Sequence, residues 1–131
     1  MGYKKAGMDD IGILTQLRLE GLRTINHLVA DADLSKVKEE TRRYYERCFE
    51  QDLHAAWLVY DGDCAIGAGG VTFYQVMPTY HNPTGERACI MNMYVHPDYP
   101  SKEITMKLLD LLVEEAKKRG IHFITLEATA V

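Results

Sequence analysis

The sequence predicts an α/β (α+β) fold, a single domain over residues 1–131 with a mixed β-sheet. Two patterns carry this prediction. First, an amphipathic helical stretch lies between two β-rich segments, and Val95 to Phe123 has the length of a right-handed parallel β-α-β crossover. Second, two β-rich runs flank Asp61-Gly62-Asp63, a turn signal typical of an antiparallel hairpin. A length of 131 residues is that of one domain.

Two helices are predicted before the hairpin. The first runs from Asp9 to about His27, with Asp9 or Asp10 placed to cap its start. The second runs from roughly Ser35 to Gln51 and is amphipathic, with an apolar stripe on one side and charged residues on the other. The stripe comprises Val37, Thr41, Tyr44, Tyr45, Cys48 and Phe49.

A loop, a central strand, a helix and a final strand follow the hairpin. Met77 to Glu86 is rich in turn-forming residues, and Arg87 to Val95 is apolar on both faces apart from Asn92, as expected of a strand buried on both sides. The helix that follows is predicted to begin with Ser101 as N-cap and to end at Gly120. The last segment, residues 121–131, reads as one more strand.

Composition excludes several classes of protein. The net charge of −4 argues against a nucleic-acid partner, and no apolar run approaches the ~18 residues that span a bilayer. The start of the chain is too polar and acidic for a signal peptide. Cys48, Cys64 and Cys89 are predicted to be unpaired thiols in a reducing cytoplasm. The histidine spacing predicts no metal site.

The chain resembles the GNAT-type N-acetyltransferases. The segments that carry the resemblance are the hairpin followed by "IMNMYVHPDY", the amphipathic helix and "FITLEAT", in that order, with "NPTG" and "LLDLLVEEAKKRGI" in the same arrangement. The resemblance covers nearly the whole chain. It implies an acetyl-CoA site between the fourth and fifth strands of the family fold, and transfer of an acetyl group to a small-molecule or peptide amine without a metal.

The resemblance also implies which residues touch acetyl-CoA. Backbone groups of Met93, Tyr94 and Val95 would pair with the pantetheine arm. The family's pyrophosphate turn, [QR]-x-x-G-x-[GA], falls here on Pro100, Ser101, Lys102, Glu103, Ile104 and Thr105. Its amides would hold the pyrophosphate at the N-terminus of the crossover helix.

The turn departs from the family pattern at each defining position. Pro100 replaces the basic or amide residue, Glu103 replaces the first glycine, and Thr105 replaces the small residue. A carboxylate about 5 Å from a phosphate, at an effective dielectric of ~20 to 40, repels it by roughly 1.5 to 3 kcal/mol. We therefore expect Glu103 to stabilise the helix N-terminus and to weaken acetyl-CoA binding.

Candidate catalytic residues follow from the chemistry of amine acetylation. By family analogy, the backbone N–H of Met93 would donate to the thioester oxyanion. Glu127 is the best-placed carboxylate for a base, although a solvent-facing glutamate is the alternative. Asn92 is predicted either as a hydrogen-bonded core amide or as a residue that orients the substrate. Tyr94 shares its face and is expected to be a core residue.

Two functions remain open from the sequence. Family members continue beyond "LEAT" with a helix, which carries the tyrosine that protonates the CoA thiolate, and two strands. This sequence ends at Val131, so no residue matches that tyrosine, and the last strand would be an apolar edge. We expect either an N-acetyltransferase or a non-catalytic GNAT-like fragment that binds CoA weakly, with a homodimer covering the edge.

Overall fold

The computed structural model describes residues 1–29 and 32–127. It contains five strands and three helices, preceded by a short 3-10 turn over Met8–Asp10. In chain order they are β1 (Gly2–Lys5), α1 (Ile11–Ile25), α2 (Ser35–Glu50), β2 (His54–Asp61), β3 (Cys64–Gln75), β4 (Glu86–Val95), α3 (Ser101–Lys118) and β5 (Ile124–Leu126). The predicted mixed sheet and the predicted order of helices are confirmed.

The sheet has the strand order β1-β2-β3-β4-β5. Neighbouring strands are antiparallel except β4 and β5, which are parallel because α3 connects them as a crossover. The predicted hairpin is β2–β3, whose last pair is Asp61 with Cys64. Gly62 adopts a φ of +60° in the turn, a conformation that glycine reaches without steric cost.

Helices cover both faces of the sheet. On one face α1 and α2 pack over β2 and β3, with a core built from Ile11, Leu14, Leu17, Tyr45, Ala56, Leu58 and Ala68. On the other face α3 packs across β2, β3 and β4, with a core that includes Ala55, Val71, Phe73, Ala88, Ile90 and Leu112. Burial of these two apolar faces holds the three layers together.

Strand β1 is absent from the sequence-based prediction. Its four residues, GYKK, show no apolar alternation, so neither periodicity nor composition indicates a strand. Two ion pairs hold β1 against the rest of the chain. Lys4 Nζ lies 3.0 Å from Asp10 Oδ1, and Lys5 Nζ lies 3.0 Å from Oε2 of the buried Glu115. The charged strand also protects the sheet edge against pairing with another chain.

The predicted N-cap of α3 is wrong, whereas Asp10 occupies the N-cap position of α1 as predicted, without a side-chain cap bond. Helix α3 begins at Ser101 itself, and Pro100 occupies the N-cap position without a side-chain cap bond. Near the start of α1, the carboxylate of Asp10 accepts a hydrogen bond from the N–H of Gly7, three residues earlier, at 2.9 Å. It also accepts one from Lys4 Nζ. Together these hydrogen bonds lower the pKa of Asp10 below its usual value.

The prediction that β4 is buried on both sides holds only for its first half. Ala88 and Ile90 are buried, whereas residues 91–95 are half-buried. The reason is that β5 pairs only with residues 88–90 of β4. The predicted last strand is described over Ile124–Leu126, and residues 128–131 of that prediction lie outside the described residues.

Three further features concern the described part of the chain. Cys48, Cys64 and Cys89 are free thiols, as predicted. No helix among the described residues combines the length and apolar character needed to cross a membrane. The charged face predicted for α2 is exposed to solvent at Arg42, Arg43, Glu46 and Arg47.

The α3 core predicts a large effect of truncating Leu112. This side chain is fully buried against the sheet, so Leu112→Ala leaves a cavity and should lower the free energy of unfolding by about 2 to 5 kcal/mol. The control is Met106→Ala on the same helix, where the side chain is 54% exposed; it should change stability by less than ~0.5 kcal/mol. Urea denaturation measures both, and equal effects would contradict this packing.

Candidate functional site

The parallel strands β4 and β5 stop pairing halfway along β4. Their pairs are Ala88 with Ile124, Cys89 with Thr125, and Ile90 with Leu126, and Glu127 N–H then donates to Ile90 O at 2.9 Å. Strand β4 continues to Val95 without a β5 partner among the described residues. Among the described residues, the backbone of residues 91–95 therefore has no strand partner on this side and could hydrogen-bond with a ligand.

A β-bulge lies at the start of this unpaired segment. Gly70 pairs with Met91 and Ala68 pairs with Tyr94, so Asn92 and Met93 both face Gly69. Asn92 adopts a φ of +56°, a left-handed conformation that asparagine tolerates better than most residues. The bulge changes the alternation of the strand.

The consequence of the bulge is that Met91 and Asn92 line the same cavity, although successive residues of a regular strand face opposite sides. Met93 instead packs over Gly69 on the α3 face. A Cβ on Gly69 would come within 2.6 Å of Met93 Sδ, so any larger residue at this position would force the Met93 side chain to move.

Two side chains hold the amide of Asn92. Asn92 Nδ2 donates to the hydroxyl of Tyr45 at 3.0 Å, and Arg18 Nη1 donates to Asn92 Oδ1 at 3.3 Å. Burial raises the pKa of Tyr45 to about 12, so its phenol stays neutral and able to accept this bond at physiological pH. Asn92 is thus hydrogen-bonded, but it is only half-buried and borders both cavities, so its predicted role in orienting a substrate stays open.

A cavity of about 320 Å³ opens where β4 and β5 separate. Helix α1 lines one side of it and α3 the other. Its walls are Arg18, Gly21, Ile25, Asn92, Met93, Tyr94, Thr105, Leu109, Leu126 and Glu127. The smaller cavity is therefore lined by Asn92, Met93 and Tyr94 of the part of β4 that has no β5 partner among the described residues.

A larger cavity, of about 580 Å³, lies between α1, α2 and the sheet. Its walls are Arg18, Lys36, Val37, Glu40, Thr41, Tyr44, Tyr45, His54, Met91, Asn92 and Glu127. Arg18, Asn92 and Glu127 line both cavities, so the two meet at these three side chains. A molecule in one cavity could react there with a molecule in the other.

The wall of the larger cavity contains a buried, uncharged histidine. His54 Nδ1 lies 2.8 Å from Thr72 Oγ1, which also shares a hydrogen bond with the hydroxyl of Tyr44. Desolvation lowers the pKa of His54 to about 4, so the ring is neutral at physiological pH. Its Nε2 has no hydrogen-bond partner among the described residues.

The structure separates the predicted cofactor residues into three groups. Met93, Tyr94 and Thr105 line the smaller cavity. Val95 packs on the core cluster that contains Ile104, whose side chain is 4% exposed. The predicted ligand role of Ile104 is thus limited to its backbone.

The remaining predicted residues lie at the beginning of α3. Ser101, Lys102 and Glu103 are exposed in its first turn and Pro100 precedes them. Glu103 is the acidic residue of this turn, as predicted. Its negative charge lies near the positive end of the helix dipole, which stabilises the helix.

Sequence reasoning missed Arg18, Tyr44 and His54. The helical spacing places Tyr44 in an apolar stripe, and no pattern in the sequence marks Arg18. Their positions depend on the packing of α1 and α2 over the sheet, which brings residues distant in the chain to one cavity. Glu127 and Asn92, both predicted, do lie at the junction.

The chain belongs to the acetyltransferase (GNAT) family, because the profile of that family matches residues 22–131. A comparison with curated proteins gave no match.

Solved structures support the same assignment. A predicted acetyltransferase from Clostridium acetobutylicum, solved with acetyl-CoA, is 33% identical to this chain. The match covers 98% of this chain and 80% of that protein, with a TM-score of 0.87. A GCN5-related N-acetyltransferase from Ralstonia eutropha JMP134 is 21% identical and shares the fold, with a TM-score of 0.82 over 98% of this chain and 83% of that one.

A more distant structure shares the fold alone. Glucosamine-6-phosphate N-acetyltransferase from Arabidopsis thaliana is 16% identical, with a TM-score of 0.67. The match covers 99% of this chain and 84% of that protein.

The buried His54 predicts a loss of stability on mild acidification. The unfolded histidine takes up a proton near pH 6.5, whereas the folded one does so only at about 4, so lowering the pH from 7 to 5 favours unfolding by about 2 kcal/mol. Urea denaturation at both pH values should show this loss in the native chain and not in His54→Gln. The exposed His122→Gln variant should retain it; an unchanged pH dependence in His54→Gln would contradict the assignment.

Proposed function

We propose that the protein is a cytoplasmic N-acetyltransferase that moves an acetyl group from acetyl-CoA to an amine. The observation that carries the proposal is the meeting of two cavities at Asn92, beside the unpaired edge of β4. The smaller cavity suits the thin pantetheine arm, and the larger one suits the acceptor. Family membership supports the same division.

The acetyl-CoA side would be held mainly by the backbone. Residues Met93 to Val95 lie on the unpaired segment of β4, where peptide groups can pair with the amides of pantetheine. Thr105 and Leu109 of α3 form the opposite wall. The pyrophosphate would lie at the first turn of α3, where the N–H groups of Ser101 to Glu103 lack an intrahelical acceptor and point outward along the helix dipole.

The reaction joins the acceptor nitrogen to the thioester carbon as the carbon–sulfur bond breaks. In this proposal, the N–H of Met93 donates to the carbonyl oxygen while it becomes negative. Glu127, at the junction of the cavities, accepts a proton from the ammonium group of the acceptor. The electron pair of the broken bond leaves with the CoA sulfur, which is released as the thiol after protonation.

Glu103 would limit the affinity for acetyl-CoA. Since the Glu103 side chain is exposed, solvent screens its repulsion of a phosphate more strongly than an effective dielectric of ~20 to 40 would. At an effective dielectric near 60, a phosphate charge ~5 Å away is repelled by about 1 kcal/mol, roughly a fivefold loss of affinity. The charge therefore weakens the site without abolishing it.

The alternative is a non-catalytic homodimer that binds acetyl-CoA weakly or not at all. The acidic first turn of α3 favours it, as do Phe123 and Leu126, which are 41% and 54% exposed beside the outer strand β5. A second copy that pairs with this edge would cover them. Acetyl-CoA binding distinguishes the two proposals.

Filling the smaller cavity tests the enzyme directly. The native chain should bind acetyl-CoA, melt at a higher temperature in its presence, and release CoA thiol when amines are supplied. Thr105→Trp should abolish all three because the indole occupies the cavity, whereas Met106→Trp, at the exposed neighbouring position, should abolish none. Absence of any acetyl-CoA binding by the native chain would favour the alternative.

Removing the charge of Glu103 should tighten binding. Glu103→Gln is expected to lower the Kd for acetyl-CoA about fivefold at low salt, with a smaller effect at 0.5 M salt because of screening. Glu114→Gln, which removes an exposed charge from the far part of the same helix, serves as the control. Isothermal titration calorimetry measures both; an equal Kd for Glu103→Gln and the native chain would show that the carboxylate does not face the pyrophosphate.

A further inference from the structure

We propose that the acceptor is a free α-amino acid with an apolar or aromatic side chain. This inference rests on the proposed function and assigns the larger cavity to one class of substrate. Its basis is the arrangement of charge and apolar surface around Arg18 and Glu127.

The charges of the larger cavity reduce to one cation and one anion. Four charged side chains line it, but Lys36 Nζ lies 3.3 Å from Glu40 Oε1. Glu40 also pairs with Arg43, and Arg43 with Glu39, so two cations and two anions balance one another on α2. No ion pair joins Arg18 or Glu127 to another of the residues that the structure describes. The cavity thus offers one positive and one negative group to a ligand.

Both groups lie where the acetyl group must be transferred. Arg18 and Glu127 line the larger cavity and the smaller one, together with Asn92. A guanidinium has five N–H donors, and one nitrogen of Arg18 is used by Asn92, so the group retains donors for a carboxylate. An α-amino acid carries its ammonium and carboxylate on one carbon, which matches two opposite charges at one junction.

The rest of the larger cavity suits an uncharged side chain. Val37 and Met91 contribute apolar surface, and the rings of Tyr44 and Tyr45 line the wall while their hydroxyls bind Thr72 and Asn92. His54 adds no charge because its ring is neutral at physiological pH. A side chain such as that of phenylalanine could pack there with no loss of polar contacts.

The reaction balances with acetyl-CoA as the acyl donor. The α-ammonium loses one proton to Glu127 and a second proton on forming the amide, while the carbon–sulfur bond breaks. The products are the N-acetyl amino acid, CoA thiol and one proton released to solvent.

Three amines that share one ring test the assignment. L-phenylalanine, L-phenylalaninamide and phenethylamine differ only in the group that Arg18 would bind. We expect kcat/KM for phenylalanine to exceed that for each of the others by roughly 10- to 100-fold, the usual effect of a hydrogen-bonded charged group. Arg18→Gln should remove this preference, so that kcat/KM for the three amines falls within about threefold of one another.

Two further variants make the result specific. Arg18→Lys, which keeps the charge, should restore part of the preference, and the exposed Arg47→Gln should behave like the native chain. Melting temperatures check that each variant is folded. Equal or faster acetylation of the amide and phenethylamine, or no acetylation of any of the three while acetyl-CoA binds, would overturn the amino-acid assignment alone. Absence of acetyl-CoA binding would overturn the proposed function, and this assignment with it.

Discussion

The early end of the pairing between β4 and β5 is the constraint on which the rest of the site depends. A parallel pair that continued to Val95 would satisfy the backbone of β4 and close the smaller cavity. Within the described residues, β5 pairs with β4 only as far as Ile90, and α1 and α3 approach the opening from opposite faces of the sheet. Among the described residues these peptide groups have no strand partner on this side, which is why we propose that a ligand pairs with them.

The bulge at Asn92 and the hydrogen bonds around this residue place it where the two cavities meet. A left-handed residue in a strand costs free energy, which the surrounding contacts must supply. Here Tyr45 and Arg18 hold the amide of Asn92, and Gly69 leaves room for Met93 on the other face. These hydrogen bonds link Arg18 of α1 and Tyr45 of α2 to Asn92 of β4. They therefore fix the walls of the larger cavity relative to the β4 backbone that lines the smaller cavity.

Local pattern predicts most of the fold because the elements have strong periodicity. The helices, the Asp61–Asp63 turn and the crossover at Val95 follow from spacing and turn chemistry. Strand β1 could not be predicted, since pairing with β2 and the ion pairs of its lysines stabilise it, and neither leaves a pattern in GYKK. The site residues also differ in whether the sequence predicts them. Asn92 is a polar residue in an apolar strand and can be predicted, whereas Arg18 and His54 reach the same cavity only through tertiary packing.

The central claim is that the separated strands β4 and β5 receive acetyl-CoA along the open edge of β4. An ¹⁵N-labelled titration followed by NMR tests it most directly, because each amide reports its own surroundings. The account predicts that saturating acetyl-CoA shifts the amides of residues 92–95 and those of Thr105 and Leu109, while β1 at the far edge of the sheet is unaffected. Shifts confined to other parts of the chain, with residues 92–95 unchanged, would contradict it.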